Sequence, residues 1–144
     1  MENPKRIFDL LERFSVLPDT LGKMVLSERN EKHWIKYNTE EYQRVANELS
    51  SGFLELGIKK GDKIATVTHN RPQWNFLDMG ILQIGAVHVT IYPTISDEEF
   101  EYIFNHSESK IIFVASKILY ERIKPIADKI SHVEKVYVID DILD

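Results

Sequence analysis

Four short β-rich runs, "KIATVT" (63–68), "VHVTIY" (87–92), "KIIFVA" (110–115) and "KVYVID" (135–140), alternate with three segments of helical periodicity. That alternation leaves few folds open. Strands joined by helices of about three turns pair in parallel, because such a connection is too long for a hairpin and long enough to cross the sheet. The expected fold is α/β: a mainly parallel sheet of βαβ units, with right-handed crossovers placing helices on both faces. The pattern does not specify the strand order.

Upstream of the alternation the signals differ. Ile7, Leu10, Leu11 and Phe14 fall on one helical face, predicting a helix over 7–14. Lys5, Arg6 and Arg13 beside that face would also suit peripheral contact with a membrane, but the expectation is docking on the chain's own domain. Residues 23–28 and 32–37 read as a β-hairpin around Arg29-Asn30-Glu31. Asn38 and Glu41 then have capping-box spacing, with Tyr37 and Tyr42 at the staple positions. The helix they open carries the stripe Tyr42, Val45, Ala46, Leu49, Phe53 and Leu56, and Gly57 suits its left-handed end. The chain thus divides into an N-terminal helix and linker, 1–22, and a folded region, 23–144.

The helix expected over 72–84 begins on Pro72, where a missing N–H costs nothing. Its apolar residues Trp74, Phe76, Leu77, Met79, Ile81, Leu82 and Ile84 point round nearly the whole circumference, the mark of a buried helix. Gly80 within it costs about 1 kcal/mol of helix propensity, which a close approach to the sheet would offset. Asn75 and Asp78 would form its one solvated strip. Asn70 reads as its cap or near-cap.

Gly85 caps that helix, and a strand follows that stops at Tyr92-Pro93-Thr94. Pro93 ends the ladder because it lacks an N–H. Ser96 and Glu99 form a second capping box, with Ile95 and Phe100 at the staple positions. The corner therefore stands at the carboxyl end of a parallel strand, the edge where open α/β sheets bind ligands. Shape alone would also account for a proline and a cap there.

Lys+Arg total 18 and Asp+Glu 23, a formal net charge of −5, so no basic face for nucleic acid is expected. Cysteine is absent, which excludes disulfides and thiolate zinc sites and suits a cytoplasmic setting. No apolar run approaches the ~20 residues of a membrane span. Walker, G-x-G-x-x-G and G-x-S-x-G patterns are absent. His33, His69, His88, His106 and His132 lack metal-ligand spacing, so no metal site is expected. Asp140-Asp141 reads as the start of a loop.

Two stretches carry a family resemblance. "NRPQWNFLDMGILQIGAVHVTIYPTIS" and "ELGIKKGDKIATV" are similar to the start of acyl-adenylate-forming enzymes, and most of all to long-chain fatty-acid–CoA ligases. The resemblance covers residues ~20–140; Thr90 stands where the family more often has proline. It implies a two-step reaction. A fatty carboxylate attacks the α-phosphate of Mg-ATP to give acyl-AMP and pyrophosphate, and the thiol of coenzyme A then displaces AMP. The family's phosphate loop and catalytic lysine have no counterpart before Asp144, so no catalytic residue transfers. The resemblance implies an N-terminal scaffold piece of a longer, AMP-forming ligase, inactive alone. ATP, magnesium, coenzyme A and fatty acid would belong to the whole enzyme, and the remainder of its own chain would be the piece's partner.

Asp78, Tyr92 and Thr94 are the candidate substrate-binding residues, chosen for their strand-end or buried-helix positions. An excised piece should expose apolar surface and self-associate. The alternative is a self-contained flavodoxin-like module that binds a small ligand at its strand ends.

Overall fold

The structure, a computed structural model, describes residues 4–17, 22–29 and 33–140. Along the chain the elements are α1 (Ile7–Val16), β1 (Met24–Arg29), β2 (Trp34–Asn38), α2 (Thr39–Glu55), β3 (Lys63–Val67), α3 (Pro72–Gln83), β4 (Val87–Ile91), α4 (Asp97–Ser107), β5 (Ser109–Val114), α5 (Lys117–Ala127) and β6 (Lys135–Val138). They form two compact units, Met1–Gly57 with Arg71–Ile84, and Ile58–Asn70 with Gly85–Asp144. The hairpin residues Asn30 and Glu31, and Asp141, lie outside the described residues.

In the first unit β1 and β2 pair antiparallel, Leu26 opposite Tyr37 and Glu28 opposite Ile35, with a register shift between Met24 and Leu26. The capping box that opens α2 is present. Asn38 Oδ1 accepts from the Glu41 N–H at 2.8 Å, and Glu41 Oε2 accepts from the Asn38 N–H at 2.8 Å. Tyr37 and Tyr42, expected to staple this start, both pack on Phe76 of α3, with ring centroids 5.0 and 5.4 Å away. α2 ends as its sequence indicates, with Gly57 at φ +80° donating to Leu54 O. Helix α1 docks on α2 and α3 through buried Leu11, while Ile7, Leu10 and Phe14 stay about half exposed.

α3 starts on Pro72, with Arg71 rather than Asn70 at its N-cap. Phe76, Leu77, Gly80 and Ile81 are buried, Trp74, Asp78, Met79 and Leu82 are half-buried, and no residue of the helix is fully exposed. Gly80 does allow a close approach, but to a helix rather than to the sheet. A Cβ there would lie 2.9 Å from Leu49 Cβ and 3.1 Å from Ala46 O. The physical reason is that α2 is small at that point. Ala46 has only a methyl, and the Ser50 hydroxyl reaches across, 2.9 Å from Ala46 O, 3.0 Å from Gly80 O and in contact with Gln83 Oε1.

The second unit is built on a four-stranded, wholly parallel sheet in the order β4-β3-β5-β6. Ile64 pairs with His88 on one side and Ile111 on the other. One sheet face, with Ala65, Val67, Ile91, Ile112 and Val114, forms a core with Phe100 and Phe104 of α4 and Ile123 and Ile126 of α5. Alternation along the strands turns Ile64, Thr66 and Ile111 to the other face, and these too are buried. The expected α/β fold, a mainly parallel sheet with helices and a small hairpin ahead of it, is present.

Ser96 and Glu99 form the predicted box at the start of α4, at 2.8 and 3.2 Å. Leu119, Ile123, Ile126, Ala127 and Ile130 recur at helical spacing, which predicts a helix over 117–130, but α5 ends at Ala127. Ile130 is still buried, held by a tighter turn in which its N–H donates to Ala127 O. Sequence spacing alone cannot separate that turn from another turn of helix.

Candidate functional site

The strand order places the carboxyl edge of the sheet in context. β4 lies on one side of β3, whereas β5 and then β6 lie on the other. The direction of winding therefore reverses at β3, the kind of switch point beside which open α/β sheets bind ligands. Thr68 follows β3, buried, with its hydroxyl donating to His69 O at 3.0 Å. His69 and Asn70 beyond it are exposed. Ser116 follows β5 and caps α5, its Oγ accepting from the Leu119 N–H at 3.4 Å.

At the end of β4 stands the Tyr-Pro-Thr corner. Tyr92 is 75% exposed, Pro93 is buried and Thr94 is exposed. Arg122 of α5 holds this corner. Its Nη1 donates to Pro93 O at 3.2 Å, its Nη2 to Ile95 O at 2.6 Å and its Nε to Asp97 Oδ1 at 2.7 Å. The guanidinium also lies over the Phe100 ring, 4.9 Å from its centroid. A planar fork of donors suits this task, since each nitrogen meets a separate acceptor. Reading the sequence missed Arg122 because its partners lie far away along the chain. The available signal was an arginine inside the apolar face Leu119, Ile123, Ile126.

Of the sequence-predicted site residues, Tyr92 and Thr94 share this corner in the second unit. Asp78 belongs to the first unit, half-buried on α3. There the Tyr42 hydroxyl donates to Asn75 O at 3.2 Å. Burial, and secondarily the charge of Asp78, push the Tyr42 phenol up to about 12. Asn75 and Asp78, expected to form the one solvated strip of α3, are half-buried, as Trp74, Met79 and Leu82 of the same helix are.

The amino edge of the sheet carries a cleft of about 230 Å³ lined by Asp62, Lys63, Glu108, Lys110 and His132. Its charges are paired: Lys110 Nζ to Asp62 at 2.9 Å and Lys63 Nζ to Glu108 at 3.2 Å. The hydrogen bond from Lys110, aided by the Lys59 N–H, holds the Asp62 carboxyl below the usual carboxylate range. His132 Nε2 lies 3.1 Å from Phe104 O. Among the described residues no group of three or more His, Asp or Glu side chains is placed to hold a metal ion. No helix among the described residues is long and apolar enough to cross a membrane.

Comparison with known proteins fits this architecture. The chain is 34% identical over 89 residues to fatty acyl-CoA synthetase A of Dictyostelium discoideum, covering 62% of this chain and 13% of that protein. It is 25% identical over 135 residues to the mouse (Mus musculus) long-chain-fatty-acid–CoA ligase ACSBG1, covering 93% of this chain and 19% of the relative. The crystal structure of the anthranilate CoA ligase AuaEII in complex with anthranoyl-AMP superposes on the whole chain with a TM-score of 0.81, at 22% identity and over 27% of that protein, a likeness of fold. The chain therefore spans less than a fifth of either curated relative. The family model described as "AMP-binding enzyme" matches residues 20–143, all but the first 19 residues and the last, and on that match the chain belongs to the AMP-binding enzyme family.

Proposed function

We propose that these residues are the amino-terminal scaffold of a fatty-acid–CoA ligase, with the Tyr92–Thr94 corner of the second unit as a candidate contact for the acyl substrate and Asp78 of the first unit as a separate candidate. The observation that carries this is the alignment, over most of the chain, with relatives named as fatty acyl-CoA synthetase and long-chain-fatty-acid–CoA ligase. The whole enzyme would join a fatty carboxylate to the α-phosphate of ATP, releasing pyrophosphate, and then pass the acyl group to the thiol of coenzyme A. The role of this segment is to bind and orient. Its parallel sheet fixes the strand ends, and its corner presents one large, exposed ring beside a buried proline. Magnesium, ATP and coenzyme A would be held by other parts of the protein. The winding order of the sheet would serve a self-contained ligand module equally well; membership of the family is what favours the ligase.

The test is direct. The 144-residue chain and the product of the reading frame that continues from it are each assayed for acyl-CoA formation from fatty acid, Mg-ATP and coenzyme A. The chain alone is also titrated with Mg-ATP in a calorimeter. The expected result is activity in the longer protein, and neither activity nor a micromolar nucleotide site in the chain alone. A stoichiometric micromolar site on the chain, or a reading frame that stops with it, overturns the proposal.

A further inference from the structure

We propose that Arg122 is the positioning residue of the substrate-facing corner: its guanidinium, not the proline alone, fixes where Tyr92 and Thr94 point. Pro93 ends the ladder of β4, so the carbonyls of Pro93 and Ile95 lie beyond the reach of strand pairing. Arg122 supplies the missing donors from another helix, one nitrogen to each carbonyl and the third to Asp97. The first turn of α4 is thereby tied to the end of β4 through a residue that belongs to neither. Phe100, fully buried, forms the floor under the guanidinium and restricts its plane. Charge-assisted donors of this kind are stronger than neutral ones and hold geometry as well as energy.

A lysine in this place keeps the charge and can still meet Asp97. Its single ammonium cannot span two carbonyls and a carboxylate that approach from different directions. The positioning role therefore requires the fork, whereas a role in charge balance or packing would be met by either residue. That the corner faces substrate rests on the function proposed above; the clasp itself does not.

The experiment measures backbone ¹⁵N order parameters at Tyr92, Thr94 and Ile95 in the chain, in Arg122→Ala and in Arg122→Lys. In the wild type these should sit near the rigid value of about 0.85, and in both variants fall below about 0.6, while amides of β3 and β5 stay unchanged. Millimolar guanidinium added to Arg122→Ala should restore the corner. The proposal is overturned if the wild-type corner is already mobile or if the order parameters do not move. It is equally overturned if Arg122→Lys restores what Arg122→Ala loses, or if the loosening spreads evenly through the unit. Arg122→Lys keeps the stem and the charge, so it reports even where the alanine variant folds poorly. In the longer enzyme, Arg122→Lys should raise KM for the fatty acid more than it lowers kcat. A loosened corner with an unchanged KM would leave the clasp standing and remove the substrate-facing reading instead.

Discussion

Replacing Gly80 with alanine should destabilise the chain, although alanine is the better helix former. A Cβ at that position meets Leu49 Cβ at 2.9 Å and Ala46 O at 3.1 Å. Ordinary carbon–carbon contact begins near 3.5 Å, and neither partner can swing aside: one is backbone and the other is bonded to it. Helices α2 and α3 must therefore separate by roughly half an ångström, which strains the Ser50 hydroxyl contact with Gly80 O as well. Overpacking of this kind costs about 1–3 kcal/mol, against about 1 kcal/mol returned by helix propensity, so the net loss is about 0–2 kcal/mol. Gly52 is the control. It lies in α2, and a Cβ there meets nothing within 4 Å. Gly52→Ala should stabilise by about 0.5–1 kcal/mol from propensity alone. Urea unfolding followed by circular dichroism should show the two midpoints moving apart. If Gly80→Ala raises the midpoint as much as Gly52→Ala does, the close approach of the two helices is wrong, and with it the account of why a glycine interrupts an apolar helix.

The amino edge should be sensitive to acid. Asp62 is held below its ordinary value in the folded chain, so its contribution is complete above the unfolded value near 3.8 and is lost as pH falls through the lower folded one. Lys110→Met removes the main cause, so urea midpoints at pH 5 and pH 3 should differ less in the variant than in the wild type; an equal difference refutes the pairing. Tyr42 makes the opposite prediction at high pH. Its folded phenol titrates at about 12 against an ordinary value of 10.0, so the stability it confers is full below 10.0 and is lost between those values. Spectrophotometric titration of the native chain should show a tyrosine step near 12 that Tyr42→Phe removes, while the step of Tyr37, which burial also pushes up, remains.

What the sequence disclosed divides by distance along the chain. The capping boxes at Asn38–Glu41 and Ser96–Glu99 were legible because each closes over three residues, and the structure forms both. The alternation of strands and helices was legible for the same reason, since period and punctuation are local. The strand order was not, because parallel ladders are chosen by packing between distant segments. The purpose of Gly80 was half legible: its presence announced a close approach, but whether sheet or helix came near depended on Ala46 and Ser50, a turn of sequence that gives no sign of facing α3. Arg122 was the largest omission. Its one local sign was its place inside the apolar face of α5, and two of its three acceptors are backbone carbonyls that no residue type could advertise.

The order of the sheet also bears on how the chain comes into being. β3 is one of two interior ribbons, yet it is synthesised before both of its neighbours; Val67 finds Ile91 and then Val114 only after each has been made. Until β5 emerges from the ribosome, this buried strand has at most one side occupied. Parallel pairing between remote segments is slow, so this interval is where a nascent chain would most need a chaperone, and where a mutation that delays β5 would be felt as poor yield rather than as a weaker final structure.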